Sequence, residues 1–384
     1  MDAQATAQIP RAFLDMPDPR RNNSRHVLTD ILTIALFAII CGADGWVAVE
    51  AYGVAKLAWL KTFLELPHGI PTHDTFGRVF ALLDPDAYES RFRAWMAAMV
   101  ELSGGKLVAL DGKSLRRSFE HAWDKGGMAH MVSAFVQGNS MVFAQQKTDG
   151  KGQELSAIEK LLAMLDLKGA VVTIDAIATQ KEIAAQIVNA GANYVLPVKD
   201  NQPTLHAKLA AAMDDAILDG FKKLSHDFFE ETDGGHGRVE TRKLWVCWDV
   251  EELLGDLGAQ WPGLKALIRV ERTRESSRGD GSRKTSIEQH CYIASLDRRT
   301  KAERLAGYIR GHWSVENNLH WQLDVSFRED ERRIRKGNGA ENFSRMCRTA
   351  LNLLKQEKTS KCGIAIKRQK CGWNNDYLIK VVAQ

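Results

Sequence analysis

Two short apolar runs, each stopping at an aspartate, constrain this chain most. Lys106-Leu-Val-Ala-Leu110 leads into Asp111-Gly112, and Ala170-Val-Val-Thr-Ile174 leads into Asp175. Runs of this length without polar alternation read as strands buried on both faces, in a sheet covered by helices. In open α/β sheets, sites gather at the carboxyl ends of the strands. An acidic residue at each of two such ends is therefore a candidate pair for one site.

The segments around these runs give the sheet an order. Met128 to Phe135 is strand-like, Gly138-Asn139 makes a turn, and Met141 to Lys147 returns as a hairpin partner. Leu155 to Leu165 is an amphipathic helix ended by Gly169. Gln180 to Asn189 is a helix closed by Gly191, and Asn193 to Val198 is a further apolar strand. A hairpin meander followed by right-handed crossovers makes a mixed sheet flanked by helices. The order strand, strand, strand, helix, strand, helix, strand is that of the ribonuclease-H-like fold. In that order the strands before Asp111 and Asp175 are neighbours, so the two carboxylates are expected to meet.

Residues 27–100 read as helical. Val27 to Cys41 has the density of a core helix, and Val47 to Leu64 is amphipathic. Thr72 or His73-Asp74 can cap a helix to Leu83, Asp84-Pro85 stops it, and another helix runs from Ala87 to about Leu102. This suits a helix-turn-helix and a plain bundle alike. After a helix from Pro203 to Leu218, two hairpins are expected: Phe228–Thr232 with Arg238–Trp248, and Ala266–Arg274 with Thr285–Ser295. Helices resume over Lys301–Trp321 and Glu341–Lys355. The predicted organisation is a helical N-terminal domain (1–102), a candidate for binding DNA ends, and a first part of the core (103–218). A β-rich insertion (219–298), the last catalytic helix with core completion (299–358) and a basic C-terminal tail (359–384) follow.

Composition excludes some classes. The longest apolar stretch, Ile31 to Cys41, spans eleven residues, against about 20 for a membrane helix. No membrane partner and a cytoplasmic location are expected. The six cysteines form no C-x-x-C pair, so zinc-finger and redox spacings are absent. A formal net charge of +4 decides little. Basic residues do cluster, over Lys265–Lys284, over Arg328–Lys336, and at Lys367, Arg368 and Lys370. Solvated surface explains such runs, and so does a phosphate-backbone partner.

A third carboxylate stands in Gly311-His-Trp-Ser-Val-Glu-Asn-Asn-Leu-His-Trp321. At a spacing of four, His312, Glu316, His320 and Asp324 are expected along one helix face. Three carboxylates can hold two Mg²⁺ ions for in-line phosphoryl displacement, because magnesium favours hard oxygen ligands. Other readings stay open. Asp111 can be a turn aspartate and Asp175 a helix cap. Glu316 can be a surface residue, with Trp313 and Trp321 as core. His312 and His320 can be core histidines, or zinc ligands together with Glu316 in a hydrolase, although no H-E-x-x-H is present.

Five segments in order carry a resemblance: Leu110-Asp-Gly-Lys-Ser-Leu-Arg-Arg117, Thr173-Ile-Asp-Ala176, Pro197-Val-Lys-Asp-Asn-Gln202, Gly235-His-Gly-Arg-Val-Glu-Thr-Arg242 and Arg310 to Trp321. From about residue 10 to its C-terminus the chain resembles bacterial insertion-sequence DDE transposases of the H-repeat-associated (ISAs) type. The resemblance implies Mg²⁺-dependent DNA strand cleavage and strand transfer, with Mn²⁺ as a substitute ion. It implies Asp111, Asp175 and Glu316 as catalytic metal ligands, element ends and target DNA as partners, and a homodimer in the DNA complex. It further suggests that Lys113, Arg116, Lys199, Arg238 and Arg242 touch DNA or brace the site. One departure stands out. Broader relatives carry Tyr-x-x-Arg-x-x-x-Glu-x-x-x-x-x-x-Lys, whereas His312 holds the arginine position here and Leu323 the lysine position. His312, His320 or Asp324 can substitute; alternatively, the chain is a DNA-binding remnant without catalysis.

Overall fold

A computed structural model describes residues 15–20, 24–97, 106–119, 128–138, 140–148, 150, 152–235, 238–277 and 283–383. The expected boundary at Ser103-Gly104-Gly105 and the last turn of the helix towards Leu102 lie outside the described residues. The strands are β1 (Leu107–Ser114), β2 (His130–Val136), β3 (Met141–Lys147), β4 (Val171–Ile174), β5 (Asn193–Val198), β6 (His226–Gly235), β7 (Arg238–Cys247), β8 (Ala266–Ser277) and β9 (Arg283–Ala294). Two compact units share them. The first comprises Met1–Glu101, Gly112–Ala157 and Val315–Gln384; the second comprises Leu102–Asp111 and Ile158–Ser314.

In the second unit the sheet order is β1-β4-β5-β9-β8-β7-β6. The first two pairings are parallel and the rest antiparallel. The helix Lys181–Asn189 links β4 to β5 and buries Ile183, Ala184 and Ile187. Its apolar residues recur at helical spacing, so one face closes on the sheet. Strands β6–β9, expected as an insertion, continue this sheet, because Val195 of β5 pairs with Ala294 of β9. Leu107, Val171, Val195, Leu244 and Ile268 form one core with Leu305 and Tyr308. The last two come from the helix Ala302–His312.

The first unit is built on two buried helices. Leu28–Ile40 is buried along nearly its whole length, as its composition predicts. Gly339–Gln356 is equally buried, yet it carries Glu341, Arg345 and Arg348. A buried charge is tolerated only when paired. Arg345 meets Glu89 and Glu341, and Arg348 meets Glu329. The β2–β3 hairpin is almost wholly buried.

The expected helix Val47–Leu64 is interrupted at Lys56, giving Trp46–Ala55 and Leu57–Leu60. Thr72 does cap His73–Leu82, accepting from Thr75 N–H. Residues 359–384, read as a basic tail, contain the helices Ile364–Trp373 and Asn375–Val382. Lys367 and Arg368 are buried there. Lys367 donates to the carbonyls of Leu354 and Glu357, and Arg368 to those of Ser326 and Ile39. Their charge serves the fold, because a buried cation must find acceptors. Among the described residues, no helix is long and apolar enough to cross a membrane.

Candidate active site: strand-end aspartates and a π-helical turn

In the second unit, the last register pair between β1 and β4 is Leu110 with Ile174. Asp111 and Asp175 are the next residues on these adjacent parallel strands. The two acids thus stand side by side at the carboxyl end of the sheet. β1 does not stop at Asp111 as expected but runs on to Ser114, so Asp111 is a strand residue, not a turn residue. Asp175 does act as a cap: its Oδ1 accepts from Ala176 N–H at 2.6 Å. Its side chain remains 58% exposed, with Lys199 Nζ at 3.8 Å. Capping and an open carboxylate therefore coexist in one residue.

The turn after Asp175 is braced by residues that spacing did not single out. Asn201 Nδ2 donates to the Ala176 carbonyl at 2.5 Å, and Gln202 Nε2 to that of Thr179 at 3.1 Å. Thr179 Oγ1 donates to the Pro197 carbonyl at 2.7 Å. This accounts for the amide pair in Pro197-Val-Lys-Asp-Asn-Gln202. Thr173 is a buried residue of β4, two positions before Asp175. His312 Nδ1 lies 3.1 Å from Thr173 Oγ1. Burial pushes the His312 imidazole down to about 4, against the pull of Asp175, so the ring is neutral near pH 7. Arg238 and Arg242 flank the buried Glu240, and Arg242 also meets Glu231 at 3.2 Å.

In the first unit, β1 resumes at Gly112. A Cβ there would meet His130 Nε2 at 2.9 Å and Glu154 Oε1 at 3.1 Å. The missing side chain makes room for a hydrogen-bonded chain: Ser114 Oγ to His130 Nδ1 at 2.7 Å, and His130 Nε2 to Glu154 Oε1 at 2.5 Å. Lys113 points to the other face. Its Nζ lies 2.7 Å from Asp324 and 3.8 Å from Asp330, and Arg116 Nε lies 3.1 Å from Asp330. Burial holds the Asp330 carboxyl above its usual range. His130, Glu154 and Asp330 were not foreseen, since nothing in the local sequence ties them to β1.

Glu316 opens a π-helical turn, Glu316–His320, followed by the short helix Trp321–Val325. The uninterrupted helix expected over Lys301–Trp321 is therefore corrected. A π turn adds one residue to the spiral, a rotation of about 100°. The four residues at a spacing of four do not share one open face. Glu316 has a side chain 64% exposed, while that of His320 is 6% exposed and sits 3.2 Å away through Nδ1. Burial pushes His320 down to about 4, with Lys113 and Arg348 adding to the shift. Leu323 is fully buried, as are Val315, Leu319 and Phe327. Trp313 and Trp321, read as possible core, are 60% and 52% exposed.

The family description "Transposase DDE domain" matches residues 102–353. The chain belongs to the DDE transposase family. A segment associated with that domain matches residues 11–96. Among similar proteins of this family, YncI of Escherichia coli O157:H7 is 39% identical over 369 residues, covering 96% of this chain and 92% of its own. The H repeat-associated protein YhhI of Escherichia coli K12 is 37% identical over 370 residues, covering 96% of both. A shorter relative, the "inactive transposase YbfQ" of the same strain, is 44% identical over 54 residues, 14% of this chain and 64% of its own. The resemblance to bacterial DDE transposases read from the five segments is thus borne out.

Proposed function

We propose that this DDE transposase cuts DNA at the ends of an insertion sequence and joins them to target DNA. Asp111, Asp175 and Glu316 are the residues that would hold Mg²⁺, or Mn²⁺ in its place. The observation that carries the reading is the Leu110–Ile174 register, which makes two aspartates the next residues on adjacent parallel strands. The donor set fits a hard cation: all three are carboxylates, and the side chains of Asp175 and Glu316 are largely open. Bound there, the ion supplies charge stabilisation for an in-line displacement at phosphorus.

The remaining residues position and brace. Lys199 is poised beside Asp175, and Lys113 and Arg116 tie β1 to Asp324 and Asp330. Arg238 and Arg242 are offered to the phosphate backbone. In the first step a water oxygen bonds to phosphorus, the P–O3′ bond breaks, and the leaving oxygen departs as a 3′-OH. In the second, that 3′-OH bonds to a target phosphorus and displaces a target 3′ oxygen, conserving the number of phosphodiesters. Within the second unit, the parallel order β1-β4-β5 supports reading these strands as part of a ribonuclease-H-like core. A cytoplasmic homodimer acting on paired ends completes the reading.

A second reading, a DNA-binding remnant without catalysis, is favoured by His312 and Leu323 at the motif's arginine and lysine positions, and by the relative named inactive. One experiment separates the two. The full chain is incubated with Mg²⁺ and a plasmid carrying the coding region with its native flanking DNA. Wild type cuts at the element ends; Asp111→Asn, Asp175→Asn and Glu316→Gln bind but do not cut. Cutting by these variants at the wild-type rate rejects the triad. Binding without cutting by wild type selects the remnant.

A further inference from the structure

The glutamate-bearing turn poses a backbone problem that a distant lysine solves. The π turn closes with Trp321 N–H on the Glu316 carbonyl. α-Helical bonding restarts in Trp321–Val325 with His320 as its cap residue, whose carbonyl takes the first helical bond. Between these bonds lie the carbonyls of Asn317, Asn318 and Leu319, facing only the N–H groups of Gln322 and Leu323. One carbonyl is left over, as an inserted residue in a helix requires. The turn is half open to solvent, with Glu316, Asn317 and Asn318 exposed and Leu319 and His320 buried, and a fixed donor holds such a carbonyl in one geometry where water does not.

Lys355, near the end of the helix Gly339–Gln356, reaches this turn from within the same unit. Its Nζ donates to the Asn318 carbonyl at 2.6 Å and to the Ser140 carbonyl at 2.8 Å. The ammonium also lies 5.3 Å from the centre of the Phe135 ring. Both hydrogen-bond acceptors are neutral. Burial, with the like charge of Lys358, pushes Lys355 down to about 7. Placing a cation here has a cost, and the contact it makes is with the turn two residues beyond Glu316.

We propose that Lys355 is the positioning residue of the glutamate turn: by donating to the Asn318 carbonyl, in a turn with one carbonyl more than its N–H groups, it holds the π geometry that presents Glu316. This rests on the reading of Glu316 as a metal ligand. Without Lys355 the turn relaxes to α bonding, and one residue fewer per spiral rotates Glu316 by about 100° relative to Trp321–Val325. Lys355 does not touch DNA or the reacting atoms. Its distance in sequence, 39 residues from Glu316, hides it from motif reading.

The test compares wild type, Lys355→Met and Lys355→Arg as full chains, with Glu316→Gln alongside. Two readouts are taken: cutting of the flanking-DNA plasmid in Mg²⁺, and hydrogen exchange by mass spectrometry without metal or DNA. For Lys355→Met, cutting falls at least about tenfold with plasmid binding retained. Its added exchange is confined to residues 315–325 and the turn at Ser140. Lys355→Arg, which keeps the donor, restores most of the cutting. Wild-type cutting by Lys355→Met overturns the proposal, and so does added exchange spread evenly along Gly339–Gln356. If Glu316→Gln also cuts normally, the metal-ligand reading fails. If Glu316→Gln is dead while Lys355→Met is normal, only the role of Lys355 fails.

Discussion

Each residue from Asp111 to Ser114 has a separate physical task. Asp111 follows the last β1–β4 register pair, Gly112 leaves room for His130 and Glu154, Lys113 clamps Asp324, and Ser114 meets His130. His312 illustrates how a burial site sets charge. Its ring is held down to about 4, against about 6.5 in an unfolded chain. Between those pH values the unfolded chain binds a proton that the folded chain refuses, so stability falls as pH drops through that window. His320, also pushed down to about 4, acts in the same sense. Thermal unfolding from pH 7 to 4 is expected to show a steep loss for wild type and a shallower one for His312→Asn, whose amide does not titrate. Parallel curves would rule out a neutral buried His312.

At the level of elements, the helix carrying Glu316 departs furthest from simple periodicity. An uninterrupted helix would align His312, Glu316, His320 and Asp324, but the π turn breaks that register. The motif's lysine position is therefore not merely replaced: Leu323 is fully buried. Leu323→Lys, which writes the broader motif back into the chain, is expected to destabilise by about 3 kcal/mol or more, because a charge is buried without a partner. Urea unfolding measures this; a midpoint equal to wild type would show that the position can open to solvent. By contrast, the strand β5 and the helix Pro203–Leu218 lie where apolar runs and a proline at the first turn put them.

Across the whole molecule, the count of basic residues overstates the charge available to DNA. Arg269 pairs with Asp214, Arg272 with Glu288 and Arg274 with Glu240, and Lys367 and Arg368 are buried against carbonyls. Binding to a duplex of the flanking DNA, followed by fluorescence anisotropy over a range of salt, is expected to separate two kinds of cation. Arg238 also meets Glu240 but keeps half of its side chain exposed, so Arg238→Ala is expected to lower the log–log salt slope by about one, as loss of a phosphate contact does. Lys367→Met lowers the melting temperature and leaves the slope unchanged. The reverse pattern would assign Lys367 to the DNA and Arg238 to the fold.

The sequence by itself determined the strands, the order in which they alternate with helices, the strand that stops before Asp175 and the family, whereas β1 runs past Asp111 to Ser114. Those features rest on local physics: apolar density, turn residues and a period of two or 3.6. Only the tertiary structure decided that β6–β9 extend the sheet, that the last basic segment folds inward, and that Glu316 sits on a π turn. It alone brought His130 and Glu154 behind Gly112, and Lys355 to Asn318. These outcomes depend on which surplus donor or acceptor meets which across large sequence separations. No local spacing records that match, because it exists only once the chain has closed on itself.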